Sequence, residues 1–414
     1  MPGKIRNDPR KTGAIYAGAG SWCGTATFAH LIGLAESRLS VRRSFAFKCT
    51  LLVMGWVLVA IGCAQIPAYT FWPAIFGALT LPVALVVNLL AVGYWLLRRW
   101  PVALLPLGLA VLTWPHFQRG LALHPLRLTT ATETAGAGPV VKVLSANVRI
   151  FNVYPQLRND GLQSSREMVR WLAENPADIL CLQEFYNEPA GSKTRDGDVF
   201  RTVDKIGRRA GREAFLSKTL TNSIGAEFGM AIFSRFPIVG RGTIGFGKLT
   251  QNHAMWADVR LPTQDTIRVY SFHLQSMSME EKDIVDSYSS KAGLRQKGLG
   301  LMRRFKRGAV RRHWQVDTLV NRFARCPYPI LLCADLNDVP YSYSYDRLAD
   351  HFQNAWTTVG NGVGSTYNGR LPFVRIDNQF AGRRWLVNDF WVSYEIPYSD
   401  HFPTTATYQL KPRQ

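Results

Sequence analysis

Residues 331–340, LLCADLNDVP, run apolar and then break into Asp335-Leu336-Asn337 ahead of a proline-bearing loop. Side chains two apart on an extended segment point the same way, so Asp335 and Asn337 present a carboxylate and an amide together at the carboxyl end of a strand. That pair suits a hard cation and a phosphate. Asp-x-Asn is also common in turns, and alone it carries little weight. Four further stretches place polar residues at the end of a β-like run: Ser145-Ala146-Asn147-Val148, Leu182-Gln183-Glu184, Ser271-Phe272-His273-Leu274 and Tyr398-Ser399-Asp400-His401-Phe402-Pro403. With Asp377 the collected set is Asn147, Glu184, His273, Asp335, Asn337, Asp377, Asp400 and His401. Oxygen donors without thiolates select a hard ion such as Mg²⁺ or Mn²⁺, and imidazole titrates where proton transfer at neutral pH needs it. A phosphodiester resists hydrolysis because its anionic oxygens repel the nucleophile. A cation and imidazolium donors must hold that charge while water attacks in line.

Such residues meet only if sheets gather their strand ends. Val140–Val148 reads as a strand, Ser164-Ser165-Arg166-Glu167 as a helix-starting capping box with Met168, Trp171 and Leu172 at helical spacing behind it, and 178–184 as a strand again. Runs 228–236, 255–261 and 266–274, separated by turn residues, suggest antiparallel sheet. Val316, Leu319, Val320 and Phe323 share one face of a helix over 314–325. The strand bearing Asp335 follows, then a Tyr/Ser-rich loop and further strands ending at 404–410. Strands with interspersed helices make a β-sandwich with outer helices.

The first third of the chain has a different character. Residues 1–44 are basic and Gly/Ala-rich and read as a cytoplasmic tail, too long before the first apolar run to be a signal peptide. Apolar runs over about 45–67, 71–97 and 101–117 are expected to cross a membrane. Arg42 and Arg43 before the first run and Arg98 and Arg99 after the second belong on the cytoplasmic side. Three spans then put everything after residue 117 outside the cytoplasm, in a multi-pass inner-membrane protein; two spans invert this. Residues 118–139, ending in the small polar TTATETAGAGP, read as a linker, and 140–414 as the soluble domain. With 49 Lys and Arg against 29 Asp and Glu, the chain carries +20, a balance that favours nucleic acid or an anionic bilayer as a neighbour. Six cysteines show neither paired spacing nor Cys-x-x-Cys, which excludes a zinc signature.

The motifs VLSANV, LCLQEF, GMAIFSRFPI, YSFHLQS, CADLND, STYNG, RIDNQF and YSDHFP stand in the order found in the endonuclease/exonuclease/phosphatase superfamily, which the chain resembles over roughly residues 140–410. The membrane part resembles a bacterial membrane-anchored subgroup. The resemblance implies an α+β fold, the four-layer α/β/β/α sandwich of deoxyribonuclease-like phosphohydrolases, here behind a transmembrane helical region. It implies a Mg²⁺- or Mn²⁺-dependent phosphoesterase, nuclease-like in its chemistry, with a lipid- or inositide-directed enzyme or a catalytically silent phospholigand-binding scaffold as alternatives.

By matching motif, Glu184 is the principal metal ligand with Asn147 beside it, Asp335 orients or deprotonates the attacking water, and Asn337 holds a phosphate oxygen. His273 and His401 stabilise the transition-state charge or serve as acid and base. Asp400 is either the partner of His401 or a second metal ligand, and Asp377 supports a catalytic histidine. Glu227 is a candidate support for His273. Three positions depart from the family pattern: Ala146, Ala334, and Asn378-Gln379 after the RID motif. Oligomeric state and the molecule that carries the ester stay open.

Overall fold

The computed structural model describes residues 44–124, 138–157, 161–192, 197–247, 252–276, 291–369, 371 and 373–412. The expected tail before Ser44 and most of the expected linker lie outside them. The chain divides into two compact units, Met1–Val53 and Met54–Gln414. The described part of the first is the opening of an apolar helix, α1 (Phe45–Ala64).

Beyond α1, short helices α2 (Ala68–Phe71) and α3 (Ala74–Leu79) precede α4 (Leu81–Arg98), α5 (Trp100–Leu112) and α6 (Trp114–Gly120). Helices α1 and α4 are long and apolar enough to cross a membrane. The single run expected over 71–97 is therefore broken. Pro73 and Pro82, which cannot donate a helical N–H, sit at the starts of α3 and α4 and punctuate it. The third apolar run is bent by 64° between α5 and α6. At 1.5 Å per residue α5 is about 20 Å long, shorter than a hydrocarbon core of about 30 Å, so this run is long enough to cross one only as a bent pair with α6.

Residues 140–410 contain two six-stranded sheets, the two inner layers of the expected sandwich. The first contains β1 (Val140–Asn147), β2 (Ile179–Asn187), β3 (Glu213–Thr221), β4 (Glu227–Ser234), β11 (Trp385–Val392) and β12 (Thr404–Leu410), in the order β11-β12-β1-β2-β4-β3. The second contains β5 (Ile238–Gly245), β6 (His253–Arg260), β7 (Thr266–His273), β8 (Ile330–Asp335), β9 (Gln353–Asn354) and β10 (Asp377–Ala381), in the order β5-β6-β7-β8-β10-β9. The three runs expected to form one antiparallel sheet are thus divided, because β4 pairs with β2 and β3 while β6 and β7 pair with each other. Strands β3 and β5 were not expected; both lie at sheet edges, β5 alternating half-buried and exposed positions along most of its length and β3 not alternating.

Between the sheets, Val141, Val143, Ile179, Cys181 and Ile232 meet Met255, Val259, Ile267, Val269, Leu331 and Cys333. Cys181 and Cys333 are small buried hydrophobes, as the spacing implied, and burial pushes the Cys181 thiol up. On the outer face of the first sheet, helix α7 (Gln163–Glu174) covers Leu144, Leu180 and Leu182 with Met168, Val169 and Leu172. Its start is not the capping box expected from Ser164 to Glu167. The helix begins at Gln163 behind Leu162, which offers no side-chain cap, so Ser164 lies inside the first turn; the neighbouring Ser165 Oγ donates to the Phe151 carbonyl (2.7 Å). On the second sheet, helix α8 (Lys291–Phe323) presses Val316, Leu319, Val320 and Phe323 onto Tyr270, Phe272 and Leu332. The expected helix at 314–325 is only its end, since the basic stretch before it shows little apolar periodicity. Helices α9 (Tyr343–Ala349) and α10 (Ala355–Val359) follow β8.

The sheet-bearing part contacts the ends of the apolar helices. The Ala68 N–H donates to His313 Nδ1 (2.7 Å), Tyr69 Oη donates to Asp317 (2.9 Å), and Arg119 pairs with Asp346. Burial pushes His313 down to about 4 from 6.5, with Arg312 adding to the effect and Asp338 and Asp317 opposing it. Accepting the Ala68 hydrogen bond requires a neutral Nδ1. A depressed histidine contributes stability that is present above 6.5 and is lost as pH falls toward 4, on the order of 3 kcal/mol in all. The melting temperature of the full chain in detergent should fall over that window. In His313→Gln, whose amide oxygen accepts the same bond without titrating, the fall should be much shallower; an identical pH profile would refute the assignment.

Candidate active site

Parallel pairing of β1 with β2 and of β7 with β8 brings four carboxyl ends to one end of the sandwich. Antiparallel β10 and β12 begin at that same end. Register completes the gathering: His273 and Asp377 both lie opposite Asp335, and Asn147 lies opposite Gln183. Asn147, His273, Asp335 and Asp377 stand at these strand ends and Asn337 just after one, Glu184 lies within β2 at its irregularity, and Asp400 and His401 lie on the loop before β12.

Asp335 is the centre. Its side chain is fully buried, Oδ1 accepts the Asn337 N–H (2.9 Å), and Oδ2 accepts from Asn147 Nδ2 (2.9 Å). Asn147 Nδ2 also donates to Glu184 Oε1 (3.0 Å), so one amide ties the two carboxylates together across the sheets. His273 Nε2 lies 3.5 Å from Asp335 Oδ2 and 3.8 Å from Glu184 Oε1, and this buried nitrogen has no hydrogen-bond partner among the described residues. A buried polar atom left unsatisfied at a strand end points to a ligand. His401 Nδ1 meets Asp377 Oδ2 at 2.8 Å. Burial opposes charge on His401, but Asp377 and Asp335 outweigh it and hold its pKa well above the usual histidine value. Burial in turn pushes Asp377 up, and the pair holds a proton between its two members.

Backbone strain marks the same residues. Glu184, at an irregularity where β2 meets β4, and Asn337, after β8, both have left-handed φ of 49°. A non-glycine residue adopts that conformation at a cost of order 1–3 kcal/mol, sustained here by the surrounding hydrogen bonds. Arg149, Ile150, Phe151 and Asn152 form a left-handed turn (φ 45–53°) immediately after β1. Phe151 anchors it edge-on against Phe185, and Asn152 donates to the Tyr398 carbonyl (2.6 Å). The turn delivers Arg149 to Asp400, Nε to Oδ2 at 3.3 Å. Of the two expectations for Asp400, partnership with His401 is therefore taken by Asp377. Glu227, the candidate support for His273, instead accepts from Asn187 and Lys218.

Two groupings could receive a hard cation. Asn147, Glu184 and Asp335 offer an amide and two carboxylates, and Asp335, Asp377 and His401 bring their ligating atoms within 4.8 Å of one another. Asp335 belongs to both. All donors are oxygen or imidazole nitrogen, a set that fits Mg²⁺ or Mn²⁺. In the second grouping Asp377 is already engaged with His401, so the first fits better. Asn147 now turns its amide nitrogen to the carboxylates and its oxygen to the Arg149 N–H (3.0 Å).

Several supporting residues lie in the quoted motifs, yet the sequence assigned them no role. Thr366 Oγ1 accepts the Ile376 and Asp377 N–H groups, and Tyr367 stands edge-on to His401 at 5.9 Å between ring centroids. Below the site, Gln183 Nε2 joins Ser145 of the first sheet to Ser271 of the second, while Gln379 Nε2 reaches from the second sheet to Thr404 and Val143 of the first. Gln379 also accepts from Tyr408 (3.1 Å). The departure of Asn378-Gln379 from the family pattern thus has a physical role, because Gln379 fastens the sheets beside the site. Gln379→Leu leaves buried groups unpaired and should lower stability by about 2–3 kcal/mol, read as a drop in melting temperature; an unchanged melt would show that the clip is dispensable.

The family model described as the Endonuclease/Exonuclease/phosphatase family matches residues 144–401, more than half of the chain. The chain belongs to that family and is a hydrolase of phosphoric ester bonds, in a family that generally works with a divalent metal. Residues 42–120 match a second model, a Domain of unknown function (DUF8431). No curated protein matches. Among solved structures, the chain is similar to an endonuclease/exonuclease/phosphatase from Beutenbergia cavernae DSM 12333, with 21% identity, TM-score 0.47, and coverage of 66% of this chain and 72% of that one. It is similar to the human Nocturnin catalytic domain with bound sulfate, at 15% identity and TM-score 0.44, covering 67% and 96%. It is also similar to a mannosyl-6-phosphatase from Bacteroides thetaiotaomicron, at 16% identity and TM-score 0.43, covering 65% and 99%.

Proposed function

We propose that the chain is a membrane-anchored, Mg²⁺-dependent phosphodiesterase in which water attacks phosphorus in line. The observation that carries this reading is Asp335, fully buried yet within reach of Asn147, His273 and the His401–Asp377 pair. Glu184 and Asn147 would hold the cation, with Asp400 at the rim, and a bound ion would supply positive charge against the phosphate oxygens. Asp335 orients the water and takes its proton, Asn337 holds a phosphate oxygen through its amide, and His273 donates to the oxygens as charge develops. His401, kept protonated beside Asp377, supplies the second positive donor or protonates the leaving oxygen. Retention of both histidines and of these carboxylates argues against a silent scaffold.

The anchor consists of α1, α4 and the bent α5–α6 run, with residues 1–44 as a cytoplasmic tail and 118–139 as the link to the catalytic domain at 140–414. The domain contacts residues 65–69 and Arg119, at the opposite end of α4 from Arg98 and Arg99, and this favours an extracytoplasmic, periplasmic catalytic domain. Two carriers of the ester suit a chain of charge +20: a polynucleotide, the carrier implied by nuclease-like family chemistry, and a phospholipid headgroup.

The full chain in detergent should hydrolyse bis(p-nitrophenyl) phosphate with Mg²⁺ or Mn²⁺, lose that activity in EDTA, and regain it on readdition of the ion. Turnover indifferent to the chelator would defeat the metal-dependent reading. A reporter fused after Gln414 that is active only in the cytoplasm would defeat the orientation.

A further inference from the structure

We propose that the phosphoester cleaved at this site is carried by a membrane phospholipid and is reached without leaving the bilayer surface. The inference rests on the hydrolase reading above and concerns what the site is given to cut.

The argument begins at Asn337. Two residues further on, Val339 packs on the apolar helices, joined by Tyr341, in a cluster with Val57, Ala60, Leu81, Ala84, Leu85 and Leu109. Two residues of chain span at most about 7 Å. The headgroup layer on each side of a bilayer is itself only about 5–7 Å deep beyond the hydrocarbon, so Asn337 stands at the depth of lipid phosphates if the helices span. The loop is held there. Asp338 accepts from Arg312 Nε and from Ser344 Oγ (both 3.1 Å), and Arg119 donates to the Pro340 carbonyl (3.4 Å).

The surroundings have the composition of a headgroup layer. Phe305 of α8 stacks on Phe76 at 5.4 Å, and Lys306 lies over the Trp72 ring at 5.2 Å, so the basic part of α8 runs against the segment joining α1 to α4. Arg303, Lys306 and Arg307 are exposed there. Tyr69, Phe71 and Trp114 are exposed at the same end of the apolar helices, as interfacial aromatics are. Basic side chains beside such a belt attract anionic lipid. A polynucleotide would have to enter a layer of phosphates of its own charge, whereas a lipid diester is already in it.

The reaction balances with water alone. The water oxygen bonds to phosphorus, the ester P–O bond breaks, Asp335 takes the proton from water, and an imidazolium returns one to the leaving alkoxide. The products are an alcohol and a phosphomonoester.

The test uses the full chain reconstituted with Mg²⁺ into vesicles of phosphatidylethanolamine, phosphatidylglycerol and cardiolipin. Their hydrolysis is compared with that of the deacylated soluble headgroup diester and of supercoiled plasmid, with bis(p-nitrophenyl) phosphate reporting the catalytic centre itself. Confinement to one surface should raise kcat/KM for vesicle lipid about 100-fold or more over the soluble diester. The triple variant Arg303→Gln, Lys306→Gln, Arg307→Gln should lose about tenfold on vesicles and nothing on bis(p-nitrophenyl) phosphate. Faster cleavage of plasmid, equal rates on lipid and soluble diester, or intact lipid alongside full bis(p-nitrophenyl) phosphate turnover would each overturn the inference and leave the hydrolase standing. Absence of turnover on every substrate would overturn both.

Discussion

Asp335→Asn is expected to lower kcat for bis(p-nitrophenyl) phosphate by about 10³-fold or more, with the fold intact. The side chain is fully buried and its two oxygens have different duties: one accepts the Asn337 N–H and sets the turn after β8, and the other faces Asn147 and His273. Asparagine keeps the shape and can keep the first contact. Its NH₂ then opposes the Asn147 NH₂, and neither a proton acceptor for water nor a negative charge near the cation remains. Steady-state kinetics with saturating Mg²⁺, beside a thermal melt, decide the matter. Activity within about tenfold of the parent would remove Asp335 from the chemistry, since loss of a positioned base costs at least 10²-fold.

Asp377→Asn is expected to cost nearly as much, about 10³–10⁴-fold, although Asp377 need not touch substrate. Its carboxylate fixes the His401 ring through Nδ1 and, against the opposing effect of burial, helps keep that imidazole protonated well above its ordinary range. A raised histidine pKa means that the protonated form persists at low and neutral pH and is lost only as pH rises through the elevated value. Removing the charge of Asp377 lowers that value. The alkaline limb of the pH–rate profile should therefore move toward acid in Asp377→Asn, a shift that merely loosened packing would not produce. An unmoved limb would show that His401 does not act as the protonated donor. Combining His401→Ala with Asp377→Asn should cost little more than His401→Ala alone, because the two residues act as a unit.

The two variants probe opposite kinds of legibility. Asp335, Glu184 and His273 could be picked out of the linear chain because each lies in or closes a run with strand-like patterning, and His401 with them because the motifs stand in family order. The helix face at Val316, Leu319, Val320 and Phe323 was legible for a similar reason, an apolar period sustained over about two turns of chain. Edge strands β3 and β5 were not, since half-exposed positions and shifted pairing dilute the period-two signal. The capping box failed because the helix starts at Gln163, ahead of Ser164, which leaves that serine in the first turn rather than at the cap.

Local patterning thus announced the chemical inventory: which residue types, at which strand ends, behind which apolar helices. It had no means of saying that Asp377 rather than Asp400 bonds Nδ1 of His401, that Gln183 and Gln379 join the two sheets beneath the site, or that the loop after Asn337 is packed into the end of the helical bundle. Those facts come from pairings between residues tens to hundreds of positions apart. Period and propensity act over a few residues, whereas such pairings depend on strand register and sheet stacking, and these are settled only when the whole chain packs.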